Sequence, residues 1–406
     1  MFKVYNLNYL IMHINYKRNL FYRFIRQLID LFVILYFIIF KLILSIFRQK
    51  NKYNGIVILR LDALGDLFLW LSSANEIRKK YKENHITLVC KEEYVEFLSS
   101  LNLFNTLIPI NLNKFFKNPI YHFHTINRIT KCSYDLLLSP MYSRAIKCDL
   151  LAKLIFAKKK IGCFGDNSSI RKFTKVITNT WYSDLVTSSS LKNPMHEIYS
   201  NFHFLNHIGI QELPNTFTLK SKYNSKFNLH TKYFVLFPGS SNKFRNWDIE
   251  KFSDLVQFIY KKYSFMPVVC GGVSEIDLSK KLIELNKSIK YVSLVNTTSI
   301  LDLVDIIAKA ELVITNETAA THIAASVNTL CFTVLGGGHF GRFAPYPKTL
   351  NQSQNKVIFN KLECFNCNWY CSIIKNKELT YPCIKEISSS NLISQIKKEL
   401  KKRNYL

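Results

Sequence analysis

Ile56-Val57-Ile58-Leu59-Arg60-Leu61-Asp62-Ala63-Leu64-Gly65-Asp66 is the stretch on which the fold turns. Four apolar residues in a row, without alternation, mark a strand buried on both faces. Gly65 permits a tight turn directly after it. From Leu67 to Tyr81 the apolar residues Leu67, Leu71, Ala74 and Ile77 recur at helical spacing. Strand, glycine turn and helix in that order are the unit of a parallel sheet covered by helices.

The same alternation extends outward. His85 to Val89 reads as a strand, Tyr94 to Leu101 as a helix and Asp135 to Leu138 as a buried strand. Residues 166 to 230 are less regular, with a polar stretch from Thr178 to Asn193, a helix around Glu197 to His207 and a linker near Lys220 to Lys232. A second series follows. Phe234 to Phe237, Pro267 to Cys270, Tyr291 to Leu294, Leu312 to Ile314 and Cys331 to Leu335 are strands. Ile249 to Tyr263, Glu275 to Asn286, Ile300 to Ala310 and Thr318 to Ser326 are the helices between them. The expected class is α/β, with two Rossmann-like domains at 53–225 and 226–406 whose parallel sheets face a central cleft. Ligands of such sheets bind beyond the carboxyl ends of the strands.

Residues 1–52 form a separate basic, hydrophobic segment. Leu31 to Phe40 is an unbroken apolar run, and after Lys41 the run continues to Phe47 with only Ser45 polar. Lys17, Arg18, Arg23, Arg26, Arg48, Lys50 and Lys52 flank it. A full span needs about 20 apolar residues, and this run falls just short. The reading favours an interfacial helix with Lys41 snorkelling to the headgroups over a true span. A helix packed on the enzyme core is the plainer alternative.

Lys plus Arg number 55 against 28 acidic residues, a formal net charge of +27. Such a surplus attracts polyanions. No RNP-like, zinc-finger or homeodomain pattern accompanies it, so an anionic membrane or a phosphorylated substrate is expected rather than nucleic acid. No convincing cleavable leader is present, and a reducing cytosol is the expected compartment.

Five motifs carry chemistry. Asp66 follows the first turn, where a carboxylate can act as general base or simply cap the helix; Asp62 is its rival. Phe237-Pro238-Gly239-Ser240-Ser241-Asn242-Lys243-Phe244-Arg245-Asn246-Trp247 presents small residues and two cations after a strand, suited to a diphosphate or to an ordinary solvated loop. Thr315-Asn316-Glu317-Thr318-Ala319-Ala320-Thr321-His322 opens a helix of small residues, a phosphate site or a packed core helix with His322 satisfied inside it. Gly271-Gly272-Val273-Ser274-Glu275 places Glu275 where it can accept from a ribose diol or cap a helix. Cys364, Cys367, Cys371 and Cys383 have spacings that suit a structural zinc ion.

In this order the motifs resemble glycosyltransferase family 9, the ADP-heptose–lipopolysaccharide heptosyltransferases, over roughly residues 53 to 390. Arg60 to Asp66 is similar to the family's opening strand and turn, and Phe237 to Trp247 to its Pro-Gly-x(n)-Lys/Arg-x-Trp element. Asn316 to His322 resembles its Asp-Thr-Gly-x-x-His element, and Gly336 to Gly338 with Pro345-Tyr346 its glycine-rich loop. Clustered cysteines also occur in many members.

The resemblance implies a GT-B fold and inverting, metal-independent sugar transfer from a nucleotide sugar to a lipid-linked glycan, at the cytoplasmic face of the inner membrane. It places Asp66 on the catalytic base. Ser240, Lys243, Arg245, Glu275, Glu317, Thr318, Ala319 and His322 fall on the donor site. Glu317 stands where the family usually has Asp, and Ala319 where it usually has Gly, which bears on the identity of the donor sugar. An epimerase of the same fold and a non-catalytic basic binding protein are the other readings.

Overall fold

The computed structural model describes residues 20–47, 55–187, 195–220, 226–227, 229–374 and 380–405. The side chains of residues 20–24 and 47 lie outside that description. So do the flanking cations Lys17, Arg18, Arg23, Arg48, Lys50 and Lys52, and much of the expected linker.

In chain order the elements are α1 (Leu20–Phe47), β1 (Ile56–Arg60), α2 (Leu64–Lys80), β2 (Ile86–Lys91), α3 (Val95–Ser100), β3 (Thr106–Ile110), α4 (Leu112–Lys117), α5 (Pro119–Thr130), β4 (Ser133–Ser139), α6 (Ile146–Leu154), β5 (Phe156–Cys163), α7 (Lys172–Asn179), β6 (Asp184–Val186) and α8 (Glu197–His207). There follow β7 (Tyr233–Phe237), α9 (Ile249–Tyr263), β8 (Met266–Val269), α10 (Ile276–Leu285), β9 (Val292–Ser293), α11 (Ile300–Ala308), β10 (Leu312–Asn316), α12 (Ala319–Ser326), β11 (Cys331–Val334), β12 (Asn355–Ile358), α13 (Pro382–Lys385) and α14 (Ser389–Lys402).

The chain packs as two compact units. One comprises the described residues of Met1–Asp62, Ser73–Ser189 and Asn201–Glu212; the other comprises those of Ala63–Ser72, Ser190–Ser200 and Leu213–Leu406. The first holds a six-stranded sheet of order β3-β2-β1-β4-β5-β6, and the second one of order β12-β11-β10-β7-β8-β9. Every strand pairing in both is parallel. Both orders reverse direction once, between β1 and β4 and between β7 and β10, as in dinucleotide-binding sheets.

Local chemistry sets the elements. β1 is buried at all five positions, which is why it reads as a continuous apolar run. α9 buries Ile249, Phe252, Leu255, Val256 and Ile259 on one face. It ends at Ser264, which adopts a left-handed φ of 55° while its N–H returns to Tyr260 O. Ser299 and Asp302 close a reciprocal cap at the start of α11.

The region from 166 to 187 is more regular than its polarity suggested, since α7 and β6 both fall within it. β5 was also hidden, by Lys158, Lys159 and Lys160. Lys160 is largely buried; its Nζ donates to Ala152 O, and burial lowers its pKa to about 7.

α1 packs on the sheet along one face. Val33, Ile34 and Phe37 are buried in the same cluster as Val57 and Leu59 of β1 and Leu150, Leu151 and Leu154 of α6. Lys41 does not snorkel outward: its Nζ donates to Leu154 O at 2.6 Å and lies 3.0 Å from the centre of the Phe156 ring. The carbonyls at the end of α6 offer it a partner that water would otherwise supply. The opposite face of α1 stays exposed, Phe32, Leu35, Ile39, Leu42 and Ile46 among it.

Candidate active site

The turn after β1 is fixed by two contacts. Arg60 is fully buried and pairs with Asp62 at 2.9 Å, and Arg60 Nη1 also donates to Pro140 O. Asp62, the rival for the base role, is therefore committed to a cation. Asp66 lies in the first turn of α2 and is half-buried. Gly65, one residue earlier, packs on α12. A Cβ there would lie 3.1 Å from His322 Cδ2 and 3.7 Å from Ala319 Cα. Glycine is thus favoured by the close approach of this turn to α12.

At the carboxyl end of β7, Gly239 makes a similar close approach to a side chain. A Cβ on it would fall 2.3 Å from Glu275 Cγ. Glu275 itself accepts Gly272 N–H at 2.6 Å and Ser274 Oγ–H at 2.7 Å. Ser240 Oγ donates within the loop, to Asn242 O or Asn246 Oδ1, each at 2.8 Å. Lys243 is exposed to solvent beside the Phe244 ring.

Arg245 donates to Ser241 Oγ and lies 5.1 Å from the centre of the Trp369 ring. Its Nε is buried and has no hydrogen-bond partner among the described residues. Trp247 faces away from the ligand side. It is buried, its Nε1–H donates to Ile387 O at 2.9 Å, and its amide donates to Asn316 Oδ1 at 3.0 Å. The Trp of this motif is a core residue.

Asn316 ends β10 with no exposure, and its Nδ2 donates to Pro238 O at 2.7 Å and Gly239 O at 3.3 Å. Glu317 follows. Burial raises its pKa to about 7 against the opposing pull of Arg245. Its Oε2, like Arg245 Nε, is buried without a partner among the described residues. Thr318 is the N-cap of α12, its Oγ1 accepting Ala320 N–H at 3.3 Å.

His322 is buried and hydrogen-bonded to Tyr346 Oη at 2.8 Å. Burial, reinforced by nearby His196, lowers its pKa to about 3, so it is neutral. His196 is likewise lowered, to about 4, by burial, while donating from Nε2 to Phe343 O. The core-histidine reading of His322 holds for its environment, and its ring also shapes the turn at Gly65.

These groups surround a cavity of about 270 Å³. Gly239, Ser240, Gly271, Glu275 and Thr318 line it, with Leu64, Phe237 and Leu303 as apolar walls. It opens at the carboxyl ends of β7, β8 and β10, where the strand order reverses. Its size, apolar walls and few convergent polar groups suit a nucleoside. Ser240, Glu275, Thr318 and Ala319 meet at this cavity; Arg245 and Glu317 adjoin it in sequence, and Lys243 does not line it. The contribution of Leu303 and the stacking of Trp369 under Arg245 were not legible in the sequence, because Leu303 lies in no motif and Trp369 falls among the cysteines, far along the chain from the loop it meets.

The cysteines behave differently from a closed zinc site. Cys364, Cys367, Cys371 and Cys383 line one small cavity of about 10 Å³. Yet no group of three or more His, Cys, Asp or Glu among the described residues is arranged to hold a metal ion. Burial raises the pKa of Cys367 and Cys383, and none of the ten cysteines is in a disulfide. Residues 375–379, between Cys371 and Cys383, lie outside the described set. Gly336, Gly337 and Gly338 pack against Phe365, Trp369 and Ile384. Cβ atoms on them would meet Trp369 or Phe365 within 2.2 to 2.7 Å, so these glycines serve packing rather than a ligand.

Comparison with known proteins places these features in context. Residues 123–370 match the model of glycosyltransferase family 9 (heptosyltransferase). The lipopolysaccharide core heptosyltransferase OpsX of Haemophilus influenzae is 23% identical over 314 residues, 75% of this chain and 84% of that protein. Among solved structures, a family 9 glycosyl transferase from Veillonella parvula superimposes with a TM-score of 0.65 at 16% identity, covering 87% of this chain and 99% of that one. The E. coli heptosyltransferase WaaC with ADP gives 0.61 at 13%, covering 84% and 99%.

Proposed function

Because the chain belongs to glycosyltransferase family 9, we propose that it transfers heptose from ADP-heptose, with inversion, to a lipid-linked acceptor of the lipopolysaccharide core type. The family match sets aside the epimerase and non-catalytic readings. The observation that carries the donor assignment is the cavity at the β7–β10 switch point, with two unpartnered polar atoms, Arg245 Nε and Glu317 Oε2, in the loops that supply its lining. Buried polar groups without partners are costly, and a bound ligand supplies what they lack.

The nucleoside occupies the cavity with its ribose toward Glu275. The diphosphate lies at the amino end of α12, where Thr318 and the positive end of the helix dipole favour an anion, and Arg245 supplies the compensating cation. Asp66 takes the proton from the acceptor hydroxyl. The oxygen attacks the anomeric carbon, the bond from that carbon to the diphosphate oxygen breaks, and the nucleoside diphosphate leaves with the bonding pair. Charge developing on it is stabilised by Arg245 and the helix amides. Glu317 and Ala319 set the donor sugar preference. The acceptor's lipid places the enzyme at the cytoplasmic face of the inner membrane.

The test is nucleotide diphosphate release from a panel of nucleotide sugars with lipid-linked acceptors, beside Asp66→Asn. The expected outcome is acceptor-dependent release with ADP-heptose, reduced in the variant by at least about a thousandfold, with ADP affinity kept within about twofold. A parallel collapse of ADP affinity would make Asp66 a structural residue. Release only with another nucleotide sugar would keep the reaction and change the donor.

A further inference from the structure

Most exposed large hydrophobic side chains among the described residues lie on three helices of the N-terminal unit: α1, α5 and α7. On α1, Phe32 is 57% exposed and Leu35 54%. On α5, Ile120 is 70% and Phe123 55%; on α7, Phe173 is 47% and Val176 68%. Isolated exposed apolar residues need no explanation, but a contiguous patch does.

The three helices touch. Tyr36 Oη of α1 meets His122 Nε2 of α5 at 3.4 Å, and Phe37 packs edge-on against the same imidazole. Asp30 of α1 pairs with Arg171, at the N-cap of α7, and accepts Thr174 Oγ1–H at 3.1 Å. Beside the buried His122 and Thr174, Phe123 and Phe173 are exposed on the two helices that contact α1.

We propose that α1, α5 and α7 together form a monotopic membrane-embedding face, with α1 lying in the interface and its exposed row inserted among the acyl chains of an anionic bilayer. The stretch Ile25–Ile46 is long and apolar enough to cross a membrane, but its contacts forbid it. Crossing would pull Val33, Ile34 and Phe37 out of the core they share with β1 and α6. It would also strip Asp30 and Lys41 of their partners and place them in hydrocarbon, an expensive position for either.

Charge favours a bilayer over a second copy of the chain. Lys117, Arg128, Lys131 and Lys172 are exposed beside the patch. α4, α5 and α7 contain no acidic residue, and the one acid on α1, Asp30, is already paired. A two-fold dimer through this face would set one cationic rim against the same rim, whereas anionic headgroups neutralise it. The inference deepens the lipid-linked acceptor reading, but the face is argued on its own residues and its test uses no sugar.

The experiment is co-sedimentation of the full chain with phosphatidylglycerol/phosphatidylethanolamine vesicles and with phosphatidylcholine vesicles. The variants are Ile120→Ser/Phe123→Ser, Phe173→Ser/Val176→Ser and Phe32→Ser/Leu35→Ser, each checked for an unchanged melt. The wild type should prefer the anionic vesicles. Each double variant should lose roughly tenfold or more in partitioning, including the two that leave α1 intact. A protease added outside the vesicles should remove an N-terminal tag.

Wild-type partitioning by the α5 and α7 variants would overturn the composite face and leave α1 as sole anchor. A protected tag would overturn the monotopic arrangement. A concentration-dependent dimer without vesicle binding, abolished by Phe32→Ser/Leu35→Ser, would hand the face to a second copy. Vesicle binding without sugar transfer would leave this inference standing and remove the transferase substrate reading instead.

Discussion

Glu317→Gln should make the enzyme more stable at neutral and mildly alkaline pH. Burial holds the Glu317 carboxyl at about 7 in the folded chain, against an ordinary 4.5. Each pH unit between those values is worth about 1.4 kcal/mol, which sets a ceiling of about 3 kcal/mol. The side chain keeps some exposure, so about 2 kcal/mol is the expected size. The unfolded chain releases its proton near 4.5 and the folded chain near 7, so between them the native state holds the extra proton. Stability therefore falls as pH rises through that window and stays at its lower level above it. Gln is neutral throughout and escapes the loss. Urea melts of both proteins from about pH 5 to about pH 8 measure this, and parallel pH dependences would refute it. The same residue gives a second readout. A bound diphosphate would neutralise the Arg245 charge that now lowers the Glu317 pKa, so ADP should bind with proton uptake near neutrality. Calorimetry in buffers of different ionisation enthalpy detects it in the wild type and should find none in Glu317→Gln.

Gly239→Ala forces its Cβ onto the Glu275 side chain. That side chain can swing away, so folding should survive with a loss of about 1 kcal/mol, while ADP affinity falls about tenfold or more as two hydrogen bonds to the carboxylate break; titration calorimetry reads both effects apart. Trp247→Ala opens a cavity in the C-terminal core and removes one of the two hydrogen bonds to Ile387 O, leaving that from Lys251 Nζ, so denaturant melts should show a loss of about 3–5 kcal/mol, with any fall in activity following the unfolded fraction. Metal analysis of protein purified without chelator tests the cysteine cluster. About one zinc per chain would mean that the four thiols draw together on binding, and a Cys383→Ser variant should then release it; no metal would leave them as packed thiols.

The sheet cores were legible because β1, β7 and β10 bury every face and so must be apolar without alternation. The glycine turns were legible for a related reason: glycine best accommodates the approach of His322 at Gly65 and of Glu275 at Gly239. β5 was hidden because its lysine run reads as loop, although Lys160 finds a carbonyl partner inside the fold. The donor loop was half legible. Its cations were visible, but which one faces a ligand depends on Trp369, a ring far along the chain that no local pattern connects to Arg245. The packing of the glycines at 336 to 338 was not legible, because the rings they meet, Phe365 and Trp369, lie far along the chain.

The side-chain amide of Asn316 accepts from the Trp247 amide and donates to two carbonyls of the loop after β7. One residue at the end of a central strand thus ties the loop proposed to meet the diphosphate to the buried ring that opens α9. The loop is set at folding, before any donor arrives. Ordering a flexible loop on binding costs entropy that subtracts from affinity; here that cost falls on folding instead. The donor therefore meets a site whose shape is already decided, and its selectivity rests on how well each nucleotide sugar fits that shape rather than on how well the loop can adapt to it.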